Sequence, residues 1–260
     1  MNPWWKPLTR LFVGVTLLFV TACSDPRIVH VATDPHHPPL SYLDDHDHLV
    51  GFEVDLMQAI AQKKGWTIVW HQVPQDGLFA GVDWTGILAG LRWHAYDLAI
   101  SGLAATADLR LTWAISQPYL QTGPELVVPA SSTITDLSDL SKQPFGTVRQ
   151  PELDQVLLRY RVTDETQQNY GQLSLALADL SEGRIAGVVA PREAVAYARK
   201  ENELLRTTTK PVQRLSDDFP LAVFARPEDQ SRIQAVNDAL EKLRTDGTLD
   251  QLKRQWFLSP

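Results

Sequence analysis

Phe52-Glu53-Val54-Asp55-Leu56-Met57-Gln58-Ala59-Ile60-Ala61-Gln62-Lys63-Lys64-Gly65 is the stretch on which the fold turns. Phe52, Leu56, Ala59 and Ile60 recur at i, i+4, i+7 and i+8, so one face of a helix is apolar, and Gly65 ends it. A β-branched run flanks it on each side. Ile28 to Ala32 precedes it and stops at Asp34-Pro35; Thr67 to Trp70 follows it directly. Strand, amphipathic helix and strand in this order predict a crossover that lays the two strands parallel.

The alternation continues outward. Trp84 to Trp93 reads as a helix and Leu98 to Ser101 as a strand. Composition shifts at Gln121-Thr122-Gly123-Pro124, where an apolar strand, Leu126 to Val128, leads into a Ser/Thr/Asp-rich turn. The pattern then restarts. Phe145 to Val148 is a predicted strand, Glu152 to Tyr160 and Leu173 to Leu180 helices, Ile185 to Val189 a buried strand and Arg192 to Lys200 a helix. One more strand, Leu221 to Phe224, precedes helices Asp229–Arg244 and Leu249–Trp256, broken at Asp246-Gly247. Two α/β units, then an extra strand and two helices, predict an α/β protein of two lobes.

The first residues have another character. Lys6 and Arg10 are the only charges before the uncharged run Leu11 to Ala22, which is shorter than the ~20 apolar residues that span a bilayer. This is the layout of a secretory signal peptide over residues 1–22. Val20-Thr21-Ala22-Cys23 resembles a bacterial lipobox, in which the cysteine is lipidated; ordinary signal cleavage near Ala22 is the other reading. Cys23 is the only cysteine among 260 residues, so no disulfide is available. The chain carries a formal charge of −7, and loss of residues 1–22 removes two cations and makes the remainder more acidic. No basic face is in view, which argues against nucleic-acid binding.

Four blocks together resemble the family 3 extracellular solute-binding proteins, the polar amino-acid receptors of ABC importers. Gly51-Phe52-Glu53-Val54-Asp55-Leu56 is similar to that family's G-F-D-V-D-L signature. Trp84 to Asp97, Ser101-Gly102 through Pro118-Tyr119, and Val236-Asn237 through Trp256-Phe257 follow in the family's order and spacing. The resemblance implies a two-lobed clamshell of the type II periplasmic-binding class, with parallel or mixed sheets and a hinge between the lobes. Lobe one would hold residues 27–122 and 219–260, and lobe two residues 126–214. The hinges would lie near 123–125 and 215–218, with ligand buried by closure.

The same resemblance implies where an amino acid would be held, and there the chain departs from the pattern. Ala104 stands at the family's hydroxyl position and Leu109 at its carboxylate-clamping arginine, with Arg110 one residue late. One residue on a helix turns a side chain by ~100°, away from the cleft unless the helix start shifts. The lobe-two turn reads Val148-Arg149-Gln150-Pro151-Glu152, where proline removes an amide donor and Glu152 would repel a carboxylate. Ala190 or Pro191 stands at the ammonium-binding aspartate. A family fold without the usual α-amino-acid anchors is therefore expected. His37 and Trp84 would be the aromatic walls, although Trp84 also suits a core position. Ser101 and Gly102 would offer backbone groups or simply end a strand. Arg110, Arg149 and Arg192 would together suit an anionic ligand, or each lie on the surface.

Other functional classes are weaker. His30, His36, His37, His46 and His48 lie close to Asp44, Asp45 and Asp47, a zinc- or nickel-like composition, but Asp44 to His48 falls in a variable loop and reads as a solvated turn. Glu152 and Glu193 are candidate acids for a dehydratase-like enzyme on this scaffold, without a nucleophile–base constellation to support one. The expectation is a monomeric, periplasm-facing, lipid-anchored binding protein without cofactor, serving an ABC permease or, alternatively, a sensor kinase.

Overall fold

The computed structural model describes residues 25–73, 85–140, 142–148, 156–160, 166–216 and 219–257. The expectations for Cys23, Trp84, Arg149, Pro151, Glu152, Asp217 and Asp218 lie outside the described residues. Strand β1 (Ile28–Thr33), helix α1 (Phe52–Lys64) and strand β5 (Thr67–Gln72) form the predicted crossover, with Ile28 to Thr33 parallel to Thr67 to Gln72. Between β1 and α1 the chain folds a small antiparallel sheet from β2 (His36–His37), β3 (Ser41–Leu43) and β4 (Leu49–Val50).

Local chemistry fixes both ends of α1. The amides of Phe52 and Glu53 donate to the Pro39 and Leu40 carbonyls, which satisfies two of the helix's orphan donors. Acidic Glu53 and Asp55 lie in the first turn and Lys63 and Lys64 in the last, as the helix dipole favours. Gly65 closes the helix at φ 68° and returns its amide to the Ala61 carbonyl. Gly51 admits no side chain, since a Cβ there would lie 2.2 Å from the Leu40 carbonyl oxygen.

The first sheet is completed by β6 (Leu98–Ala99), β7 (Ala114–Ile115) and the late strand β15 (Phe224–Ala225), in the order β5-β1-β6-β15-β7. Its two faces are covered by separate apolar clusters. One joins α1 to α7 (Gln230–Thr245) and α8 (Thr248–Phe257) through Leu56, Ile60, Val236, Leu240 and Leu249. The other joins Ile87 and Leu91 of α2 (Thr85–Arg92) to Trp113, which follows α3 (Ala107–Thr112).

The second sheet runs β11-β10-β12-β9-β13, from β9 (Pro124–Pro129), β10 (Phe145–Val148), β11 (Gln167–Tyr170), β12 (Gly187–Pro191) and β13 (Thr209–Arg214). Helices α4 (Leu173–Ser181), α5 (Arg192–Glu201) and α6 (Glu203–Thr208) belong to this half. Both sheets are mixed. β9 runs antiparallel to β12 and β13, and β15 antiparallel to β6 and β7. An additional pair, β8 (Leu120–Thr122) with β14 (Phe219–Leu221), runs antiparallel where the chain passes between the halves. At this crossing Gly123 packs so closely that a Cβ would lie 1.9 Å from the Ser216 carbonyl oxygen.

The result is a two-lobed α/β clamshell. The predicted strand Leu221–Phe224 divides into β14 and β15, which belong to different sheets. The elements without a predicted counterpart, β2, β3, β4, β7, β8, β11, β13, α3 and α6, are mostly too short or too polar to carry a periodic signal.

Candidate ligand site at the seam between the lobes

In an open α/β sheet the carboxyl ends of the strands and the helices that follow them form the natural crevice. Here β1 ends at Thr33 beside Asp34, β6 ends before Ser101-Gly102, and β12 runs into α5 at Arg192. Asp34 is fixed on three sides. Its amide donates to Ser101 Oγ at 3.0 Å, its carbonyl accepts from Ser41 Oγ at 2.7 Å, and its Oδ1 accepts from the His36 amide at 3.0 Å. Thr33 and Ser41, both fully buried, complete this network with a 2.8 Å hydroxyl contact.

Glu53 is the unexpected occupant. Its residue is fully buried, and Oε1 accepts from the Gly102 amide at 2.7 Å and from the Tyr119 hydroxyl. Oε2 is buried with no hydrogen-bond partner. Burial pushes the carboxyl up to about 7, and the charges of Glu193 and Asp34 push the same way against the two hydrogen bonds. Glu193, in the first turn of α5, belongs to the other lobe and accepts from the Thr122 hydroxyl at the crossing. Its pKa is also raised, chiefly by burial. Glu125 at the start of the second sheet is buried as well and rises to about 7 by burial, with Arg192, Arg214 and Arg199 opposing.

His37, Ser101, Gly102, Glu53 and Asp34 meet on the lobe-one side. A Cβ on Gly102, whose φ is 62°, would lie 2.7 Å from His37 Cε1 and 3.1 Å from Nδ1, so the imidazole rests against the bare backbone. Burial lowers the His37 pKa, opposed by the charge of Asp34, which favours the neutral ring. The backbone of Ser101-Gly102 is already engaged: the Gly102 amide serves Glu53 and the Ser101 hydroxyl serves Asp34.

Arg110 is exposed on α3, while Arg192 starts α5 and donates to the Ser216 carbonyl at 3.2 Å. Ala104 and Leu109 leave no hydroxyl or guanidinium at their positions, and Ala190 and Pro191 are buried in β12 opposite Glu125 and Pro124. Asp44 accepts from the His46 and His48 amides and so closes a turn. Among the described residues no three His, Cys, Asp or Glu side chains are grouped to hold a metal ion.

The seam has a second contact zone. Tyr42 on β3 meets Tyr197 on α5 with hydroxyls 2.8 Å apart, and both rings pack against Trp256 of α8. Trp256 Nε1 donates to Asp55 Oδ2 at 2.9 Å, and Lys200 Nζ donates to the Gln255 carbonyl at 2.6 Å. Neither Glu53 nor this aromatic contact was singled out from sequence. The cue for Glu53 was its register: it shares a helical stripe with Leu56, Met57 and Ile60, where a solvated acid does not belong.

The chain matches the model of the bacterial extracellular solute-binding proteins, family 3, over residues 29–259, and it belongs to that family. The ABC transporter arginine-binding protein 1 of Escherichia coli (strain K12) is 23% identical over 242 residues, covering 92% of this chain and 94% of that protein. The L-cystine-binding protein TcyJ of the same strain is 26% identical over 230 residues, covering 87% and 81%. Among solved structures, an ancestral arginine-binding protein bound to arginine superposes with a TM-score of 0.68 at 25% identity, covering 89% of this chain and 98% of that one. The L-cystine solute receptor of Neisseria gonorrhoeae, in its unliganded open conformation, gives 0.70 at 20% identity with 88% and 92% covered, a likeness of fold. Family members of this kind are binding proteins, and among the described residues no helix is long and apolar enough to cross a membrane.

Proposed function

We propose that this protein is a lipid-anchored periplasmic receptor that captures a small polar or anionic, amino-acid-like solute for an ABC importer, through contacts other than the usual α-amino-acid anchors. The observation that carries this reading is the seam itself. Side chains of the two halves touch there, Tyr42 with Tyr197 and Thr122 with Glu193, and the positions expected to clamp a carboxylate and an ammonium hold Leu109, Ala104, Ala190 and Pro191. Closure at the Gly123 crossing buries the solute, and the closed form docks on a permease. Cys23, directly behind the apolar run, is the site of acylation and holds the receptor at the membrane.

Two experiments test the reading. Native mass spectrometry of protein purified without denaturation is expected to show one small polar molecule per chain. Calorimetric titration with the twenty amino acids is expected to give no micromolar binder, and one such binder overturns the claim of altered anchors. For the anchor, Cys23→Ser moves the protein from the membrane fraction to the soluble fraction of the periplasm; unchanged membrane association overturns it.

A further inference from the structure

One face of α5 reaches across to lobe one. Tyr197 and Lys200, three residues apart, lie on the same side of that helix. The Tyr197 hydroxyl is 2.8 Å from that of Tyr42, and its ring centroid lies 5.9 Å from the Tyr42 ring and 6.4 Å from the Trp256 ring. Lys200 Nζ donates at 2.6 Å to the carbonyl of Gln255, the residue before that tryptophan. The partners on lobe one are themselves held. Trp256 meets Tyr42 edge-on at 6.3 Å and donates from Nε1 to Asp55 Oδ2 of α1 at 2.9 Å. Tyr42 stands opposite His36 in the small sheet, and its neighbour Ser41 stands opposite His37 and donates to the Asp34 carbonyl. The grip of α5 therefore ends in the hairpin that brings His37 to Gly102.

We infer that Tyr197 and Lys200 of lobe two, with Tyr42 and Trp256 of lobe one, form a latch that holds the lobes together whether or not a solute lies between them. Every bond in it joins two groups of the chain, and none of these groups belongs to the strand-end residues Asp34, Ser101 and Gly102. Tyr197 and Lys200 move with one helix. Opening at the Gly123 crossing must therefore break the tyrosine hydrogen bond, two ring contacts and the Lys200 bond together. That cost is the same for every solute. The bearing on affinity rests on the receptor reading above. A solute that requires the closed form binds more tightly in proportion to the closed fraction, so the latch sets part of the affinity from outside the contacts that choose the solute.

The test is the distance between the lobes in solute-free protein. Cys23→Ser removes the only thiol of the full-length chain, and Gln58→Cys on α1 with Ala178→Cys on α4, both exposed positions, then place one spin label on each lobe. Unfolding, dialysis and refolding remove any retained solute. Pulsed electron–electron resonance on this parent should show one dominant, shorter distance. Tyr197→Ala should shift the ratio of shorter to longer distances by at least about tenfold towards the longer, as a hydrogen bond and two ring contacts are lost together. Tyr42→Phe loses only the hydroxyl and should shift the ratio by about threefold to tenfold. Adding Tyr197→Phe to it should shift the ratio no further, since both changes remove one bond. Circular dichroism and melting confirm the fold of each variant, and Tyr42→Phe keeps the test open if Tyr197→Ala does not fold. A parent that is mainly open without solute, or variants with the parent's distance distribution, overturn the latch and leave the receptor reading standing. The receptor reading falls separately, if native mass spectrometry shows no retained molecule.

Discussion

The Tyr42 hydroxyl lies 2.8 Å from the Tyr197 hydroxyl, and this hydrogen bond joins β3 of one lobe to α5 of the other. Burial, together with the bond itself, pushes the Tyr42 phenol far above its usual range, so this hydroxyl stays neutral at physiological pH. Tyr197→Phe keeps the ring on Trp256 and removes only this bond. A neutral hydrogen bond contributes about 0.5–1.5 kcal/mol, so the closed arrangement should lose roughly threefold to tenfold in population. Fluorescence transfer between labels on the two lobes measures this, and an unchanged distance distribution would show that the bond does not hold the lobes together.

Burial makes stability fall as pH rises through the neutral range. Glu53 and Glu125 titrate near 7 in the folded protein, above the 4.5 of an exposed glutamate. Between these limits the folded chain holds protons that the unfolded chain has released. Their stabilising contribution is complete below about pH 4.5 and is lost as pH rises through about 7. Each fully coupled group gives a slope of about 1.4 kcal/mol per pH unit in that window. Denaturant midpoints of the ligand-free protein at pH 5, 6 and 7 should therefore decrease. Glu53→Gln should flatten the slope, and an equal slope in the variant would remove Glu53 from the account.

Gly123 sits where the chain crosses between lobes, with the Ser216 carbonyl oxygen 1.9 Å from the place a Cβ would occupy. That obstacle is backbone and cannot turn aside as a side chain would. Gly123→Ala must separate the two crossing segments and should cost more than about 2 kcal/mol, towards the upper end of overpacking penalties. Thermal denaturation checks the size, and a loss below half a kcal/mol on the scale of ordinary surface changes would contradict it.

Arg226 is buried in lobe one and donates to the carbonyls of Tyr96 at 2.7 Å and Leu91 at 3.3 Å, while pairing with Asp229 at 2.6 Å. Truncation to alanine leaves those carbonyls and a carboxylate without a cation. Arg226→Ala should cost about 3–5 kcal/mol, and Arg226→Met, which retains the apolar stem, only slightly less. Urea unfolding of both variants separates loss of charge from loss of packing.

Much of the architecture was legible because it rests on local chemistry. The apolar stripe of Phe52, Leu56 and Ile60, the glycine stop at Gly65 and the β-branched runs on either side determine a strand–helix–strand unit whatever surrounds them. The G-F-E-V-D-L block and the closing helices place the whole chain in its family, and Leu109, Pro191 and Ala104 are the departures from the family pattern on which the proposal of altered anchors rests. The sequence by itself could not reveal the seam. Glu53 and Tyr119 lie 66 positions apart, Thr122 and Glu193 71, and Tyr42 and Tyr197 155. An acid near a helix start reads as a dipole partner in solvent until tertiary packing removes the water and brings a second carboxyl from the other lobe. Burial and cross-lobe proximity are properties of the folded chain, and they alone turn an ordinary glutamate into a proton-holding group with one oxygen unsatisfied.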